Sequence, residues 1–161
     1  ELKSRGLGDV YKRQDEYQYD LVIGSSMGGL AAANASSLRE KSDFKLLLIA
    51  PAFGLSDSWE NLRDEELDSW ERMGVRRYRG FDLEIDLGWD FMEDAREMSW
   101  PTIRHQTTII HGSKDDIVPL EVSQTVSGDS ELVDLIVIDD GHRMKRSLSY
   151  LSDVASSLVS S

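Results

Sequence analysis

One junction constrains the fold of this chain more than any other stretch. Tyr19-Asp-Leu-Val-Ile23 runs directly into Gly24-Ser25-Ser26-Met27-Gly28-Gly29, and Leu30-Ala-Ala-Ala-Asn-Ala-Ser-Ser-Leu38 follows. The first run is apolar and rich in strand formers, as expected of a strand buried on both faces of a parallel sheet. The third is rich in alanine and favours helix. A sharp turn between such elements forces a serine into a strained conformation and projects its hydroxyl from the carboxyl edge of the sheet. Side chains at the flanking Gly24 and Gly28 are expected to clash with the adjoining strand and helix. The G-x-S-x-G spacing alone arises by chance in roughly one chain in ten of such composition. A phosphate-binding loop is the alternative, but the G-x-G-x-x-G spacing and the P-loop lysine are both missing. The strand–turn–helix context therefore carries the argument, and Ser26 is the candidate nucleophile.

Three further strand patterns supply partners. Phe44 to Ile49 is one, ending at Ala50-Pro51. Thr107 to Ile110 leads into His111-Gly-Ser-Lys-Asp-Asp-Ile-Val-Pro119, and Leu132 to Ile138 leads into Asp139-Asp-Gly-His142. Helical stretches fill the gaps at Leu120 to about Val126 and Leu148 to Val159. Alternation of strands and helices predicts an α/β fold with a mostly parallel sheet. Functional groups in such a sheet gather outside the carboxyl ends of its strands. Ser26, the pair Asp115/Asp116, and His142 all fall there, in the order Ser, Asp, His.

That order, with H-G-x-x-D-x-x-V-P after one strand and G-H after the next, resembles the C-terminal part of an α/β-hydrolase. The resemblance covers residues 17 to 159. HGSKDDIVP, GHRM and the WDFMEDA stretch are similar to small bacterial esterases of the YqiA/YcfP type. They are similar also to the related mitochondrial palmitoyl-protein thioesterase and acyl-glucuronide esterase. In that pattern the catalytic acid is the first Asp of the pair, here Asp115, with Asp116 as its competitor. The resemblance also implies further strands before the turn, and a loop among them giving a second oxyanion donor. No strand pattern precedes Tyr19 and no His precedes position 105. The chain is accordingly expected to be a partial hydrolase fold lacking its N-terminal strands, and a weak enzyme. Tyr19 to Ile23 would then be an exposed edge open to self-association.

The chemistry explains these residue types. A serine hydroxyl is a poor nucleophile until a base such as His142 takes its proton. An aspartate accepting the other ring N–H fixes the tautomer and stabilises the imidazolium. The backbone N–H of Met27, next after the nucleophile, is a candidate oxyanion donor. Of the other histidines, His111 is expected to be structural at its strand end, and His105 to face solvent. Asp139 or Asp140 could help to orient His142, and either Asp pair could instead form turns or helix caps.

Residues 53 to 100 form an insert expected to set specificity. Asn61 to Met73 reads as an amphipathic helix. Phe81, Leu83, Ile85 and Leu87 alternate with acidic residues as a one-sided strand, paired in a hairpin with Val75 to Arg79. Trp89 to Met98 reads as a second helix. Trp59, Trp70 and Trp89 are expected mainly to pack this small cap, which leaves room for an apolar acyl pocket beneath it.

Composition excludes other classes. Eighteen Lys+Arg against thirty Asp+Glu give a net charge of −12, which argues against nucleic-acid binding. No apolar run is long enough to span a bilayer. There is no cysteine, and the three histidines lack metal-ligand spacing, so neither metal nor other cofactor is expected. Glu1 to Gln14 carry four basic and two acidic residues, so they are +2 and the remaining residues −14. They show no periodicity and resemble a translated sequencing-adapter tail of a metagenomic fragment, with native sequence beginning near Asp15. Location is then open, cytoplasmic by default. The expected function is hydrolysis of a small ester or thioester. A serine aminopeptidase of the proline-iminopeptidase type and a non-catalytic binding module are the alternatives.

Overall fold

The computed structural model describes residues 19–60, 64–80 and 83–160. The tail at 1–14 and the expected positions at Asn61, Phe81 and Asp82 lie outside them. The elements are β1 (Leu21–Ser25), α1 (Met27–Leu38), β2 (Lys45–Ile49), α2 (Leu55–Glu60), α3 (Asp64–Met73), β3 (Val75–Gly80), β4 (Leu83–Gly88), α4 (Trp89–Met98), β5 (Thr107–Gly112), α5 (Leu120–Gly128), β6 (Val133–Ile138) and α6 (Leu148–Ser160).

The run Leu46-Leu47-Leu48 has no polar side to turn towards water, so β2 belongs inside a sheet covered on both faces. It sits there. The four parallel strands stand in the order β1-β2-β5-β6, with Gly24 opposite Leu48 and Ile49 opposite Ile110. Leu46, Leu48, Ile109 and Val133 meet Leu30 and Ala33 of α1 and Val126 of α5 in one core. Among the described strands β1 lies at an edge of this sheet, and Ile23 is 54% exposed rather than buried on both faces. The exposed α6 lies against β1, and the Lys45 ammonium donates to its Leu158 carbonyl at 2.9 Å.

Between β2 and β5 the chain builds a separate unit around the antiparallel pair β3–β4, in which Val75 faces Gly88 and Gly80 faces Leu83. Trp70 is buried beneath this hairpin and donates its indole N–H to the Leu87 carbonyl at 3.0 Å. Its ring meets Trp59 and Trp89 at centroid distances of 5.3 and 5.5 Å. The short helix α2 had no signal in the sequence pattern, because six residues give too little periodicity to read.

His105 corrects an expectation. It is 7% exposed, not solvent-facing, and its ring stacks on Phe44 at 4.0 Å. Both nitrogens are engaged, Nδ1 with the Ser36 hydroxyl and Nε2 with the Ser42 carbonyl, each at 2.7 Å. The polar sequence around it concealed partners from two distant segments.

Candidate active site

The loops that carry Ser26, Asp115 and His142 at the sheet's carboxyl edge are held by hydrogen bonds to backbone groups. Ser26 sits between β1 and α1 with φ 53° and ψ −119°, a conformation that costs a non-glycine residue of order 1–3 kcal/mol. Three hydrogen bonds hold it: its N–H donates to the Ile49 carbonyl at 2.9 Å, and its carbonyl accepts from Ala52 at 3.0 Å and Leu30 at 3.1 Å. Gly24 is required, since a Cβ there would stand 2.3 Å from the Gly28 carbonyl oxygen. Gly28 itself faces open space, contrary to expectation. The second close approach falls on Gly29, where a Cβ would lie 2.9 Å from the Pro51 side chain.

Asp115 and His142, the expected acid and base, lie in the loops after β5 and β6. Gly112 lets these loops touch, because a Cβ there would be 2.3 Å from the Asp140 carbonyl oxygen. Asp115 then turns back on its own loop, and its Oδ1 accepts the N–H groups of Ile117 and Val118, both at 2.9 Å. Its Oδ2 accepts from His142 Nδ1 at 2.8 Å, and His142 Nε2 lies 3.0 Å from the Ser26 hydroxyl oxygen. The Asp115 side chain is wholly buried and that of His142 is 9% exposed. Burial pushes the Asp115 carboxyl upward. The N–H of Val118, the His142 ring, the N–H of Ile117 and the charge His142 can carry outweigh it, and hold the carboxyl below the usual carboxylate range.

The rival acids are placed elsewhere. Asp116 is exposed, and Asp139 pairs with Lys114 on the surface. Asp140 organises the loop carrying His142: its carboxylate accepts the N–H of Gly141 and of Arg146 at 2.8 Å and the Ser147 hydroxyl at 2.9 Å. These bonds brace the loop. His111 is fully buried. Met27 opens α1, and first-turn N–H groups of a helix have no carbonyl one turn earlier to bind.

A cavity of about 530 Å³ opens beside Ser26, between the sheet edge and the insert. Its walls are mainly apolar, with Phe53, Trp59, Tyr78, Ile85 and Phe91 from the insert side and Val118 from the acid loop. Ile85 and Leu87, the apolar face of the alternating stretch, both line the cavity. Among the described residues, no three His, Asp or Glu side chains are grouped to hold a metal ion. No described helix is long and apolar enough to cross a membrane.

Solved structures share this architecture. Alpha/beta hydrolase domain-containing protein 10 from mouse aligns at a TM-score of 0.74 and 25% identity, over 95% of this chain and 67% of its own. Est1E from Butyrivibrio proteoclasticus aligns at 0.67 and 18%, over 96% of this chain and 67% of its own. The esterase EaEST from Exiguobacterium antarcticum aligns at 0.60 and 18%, over 95% and 72%. The chain thus spans about two thirds of the length of the first two. Among curated proteins none matches this sequence. A family profile matches residues 9–158, nearly the whole chain. With its parallel sheet, its strained serine turn and these structural relatives, the chain is a member of the α/β-hydrolase superfamily, and it belongs to the uncharacterised protein family UPF0227.

Proposed function

We propose that this protein is a serine hydrolase that cleaves carboxylic esters or thioesters through an acyl-enzyme on Ser26, with His142 as base and Asp115 as acid. The observation that carries the reading is the unbroken series Ser26 Oγ, His142, Asp115, with contacts of 3.0 and 2.8 Å, at the mouth of an apolar cavity. A carboxylate only accepts, so His142 Nδ1 holds a proton and, in the neutral ring, Nε2 accepts from the Ser26 hydroxyl.

In the first half-reaction His142 Nε2 takes the serine proton as Oγ attacks the substrate carbonyl. The negative charge that forms on the carbonyl oxygen faces the Met27 N–H, and Asp115 stabilises the imidazolium. Collapse of the tetrahedral species expels an alkoxide or thiolate, which takes the Nε2 proton. Water then repeats the sequence against the acyl-enzyme and restores Ser26. The apolar walls of the cavity favour an apolar acyl or aryl group over a charged one. The esterases among the structural relatives are consistent with that chemistry.

The test is covalent labelling with a fluorophosphonate followed by peptide mapping. The adduct is expected on Ser26 and absent in Ser26→Ala, whose circular dichroism should match the parent. p-Nitrophenyl esters should be hydrolysed in preference to aminoacyl anilides. Labelling that persists in Ser26→Ala would overturn the assignment.

A further inference from the structure

His111 is the penultimate residue of β5 and has no solvent exposure. A buried imidazole is costly unless its nitrogens are paired. Here Nδ1 lies 2.7 Å from the Ser123 hydroxyl on α5, and Nε2 lies 3.0 Å from the Val118 carbonyl oxygen. A carbonyl only accepts, so Nε2 carries a proton and, in the neutral ring, Nδ1 accepts from Ser123. The same Nε2 is 3.2 Å from Asp115 Oδ2, the oxygen that receives His142 Nδ1. Val118, whose carbonyl His111 holds, also donates its N–H to Asp115 Oδ1. One ring therefore grips the residue that clamps one carboxylate oxygen and lies beside the other.

We propose that His111 is a positioning residue of the catalytic site: its Nε2–H fixes the 115–118 loop and keeps Asp115 Oδ2 turned towards His142. The proposal rests on the triad reading given above. It differs from a packing role in one respect. Packing needs the volume of the ring, whereas positioning needs an N–H at the Nε2 place. His111→Leu keeps an apolar bulk and removes the N–H. His111→Gln supplies an amide N–H that reaches the Val118 carbonyl. His111→Asn keeps a shorter amide at the Nδ1 place, facing Ser123, and leaves the Nε2 place without an N–H.

Two readouts on the 161-residue chain separate the possibilities. The first is the low-field proton resonance of His142 Nδ1–H, which reports the bond to Asp115 without any turnover. The second is the rate of fluorophosphonate labelling. His111→Leu is expected to lose or shift the resonance and to slow labelling by roughly ten- to a hundredfold, the scale of a small misplacement at a reacting centre. His111→Gln is expected to keep the resonance and most of the rate. An unchanged resonance and rate in a folded His111→Leu overturns the proposal, and so does equal damage in the Gln and Leu variants. If His111→Leu does not fold, His111→Asn decides: a shifted resonance supports the positioning role, and a parental one overturns it. If the parent chain takes no label at all, the nucleophile reading fails, and the resonance comparison still decides the part played by His111.

Discussion

The carboxyl edge of the sheet and the insert that faces it meet at one cavity but are built on opposite principles. At the sheet edge, polar groups are fixed by backbone hydrogen bonds. Ser26 is held by three of them, Asp115 accepts two, and Asp140 ties the His142 loop with three more contacts. In the insert, position comes from aromatic packing around Trp70, and the hairpin's outer ion pairs, such as Arg77 with Asp86, are exposed to water. Exposed pairs of that kind add little to stability. The difference teaches a division of labour. Chemistry needs donors and acceptors placed to a fraction of an ångström, which backbone bonds supply. A binding wall needs shape and dryness, which large rings supply.

The sharpest way to break this comparison is to disturb the polar edge and leave its packing alone. Asp115→Asn preserves size, yet it favours the wrong imidazole tautomer; labelling and ester hydrolysis should fall by about 10⁴-fold. Asp116→Asn should stay within about twofold of the parent, since a surface change away from the reacting atoms has little to disturb. Equal losses at the two positions would mean that the acid has been misassigned.

The insert should respond in stability first. Trp70→Ala removes the ring at the centre of the aromatic group, and such truncations cost on the order of 3–5 kcal/mol. Urea unfolding followed by tryptophan fluorescence measures this. Trp59→Ala should be milder, because Trp59 is only partly buried and also walls the cavity. Its distinguishing effect is a changed preference between short-chain and aryl esters, measured as a ratio of kcat/KM values.

Acid separates the two regions in another way. Asp115 and Asp140 both titrate below the usual carboxylate range. In each case burial acts upward and is outweighed, for Asp115 chiefly by the Val118 N–H and for Asp140 chiefly by the Gly141 N–H. A lowered folded-state pKa means that the stabilisation is complete above the ordinary carboxylate pKa and lost as pH falls through the lower folded value. Stability of the sheet edge should therefore decline below about pH 4. Asp140→Asn should flatten that decline, as thermal melts at stepped pH would show. A pH profile identical to the parent's would contradict the role given to the Asp140 carboxylate.

The smallest effect sharpens the picture of the serine turn. Gly28→Ala places a methyl group where nothing lies within 4 Å, inside α1. It should stabilise the chain by about 0.5–1 kcal/mol, the helical advantage of alanine over glycine. Gly24→Ala should instead prevent the turn from closing, given the 2.3 Å approach to the Gly28 carbonyl. Matching thermal midpoints for these two variants would refute the steric account.

What the sequence determined by itself was everything that depends on neighbours along the chain. The apolar run at β1, the alanine-rich α1, the period-two alternation of β4 and the stretch Trp89–Met98 each carry their conformation in local propensity and pattern. The order of Ser26, an Asp and His142 at the ends of β1, β5 and β6 was legible for the same reason. Tertiary structure decided the rest, because a partner distant in sequence leaves no local trace. Nothing near Gly28 showed that the close contact would fall one residue later against Pro51. Nothing near His105 showed a Ser36 hydroxyl and a Phe44 ring waiting for it. The resemblance pointed to Asp115 rather than Asp116, but the physical cause of the difference is three-dimensional: the turn of the loop onto the N–H groups of Ile117 and Val118 aims the Asp115 carboxylate at His142.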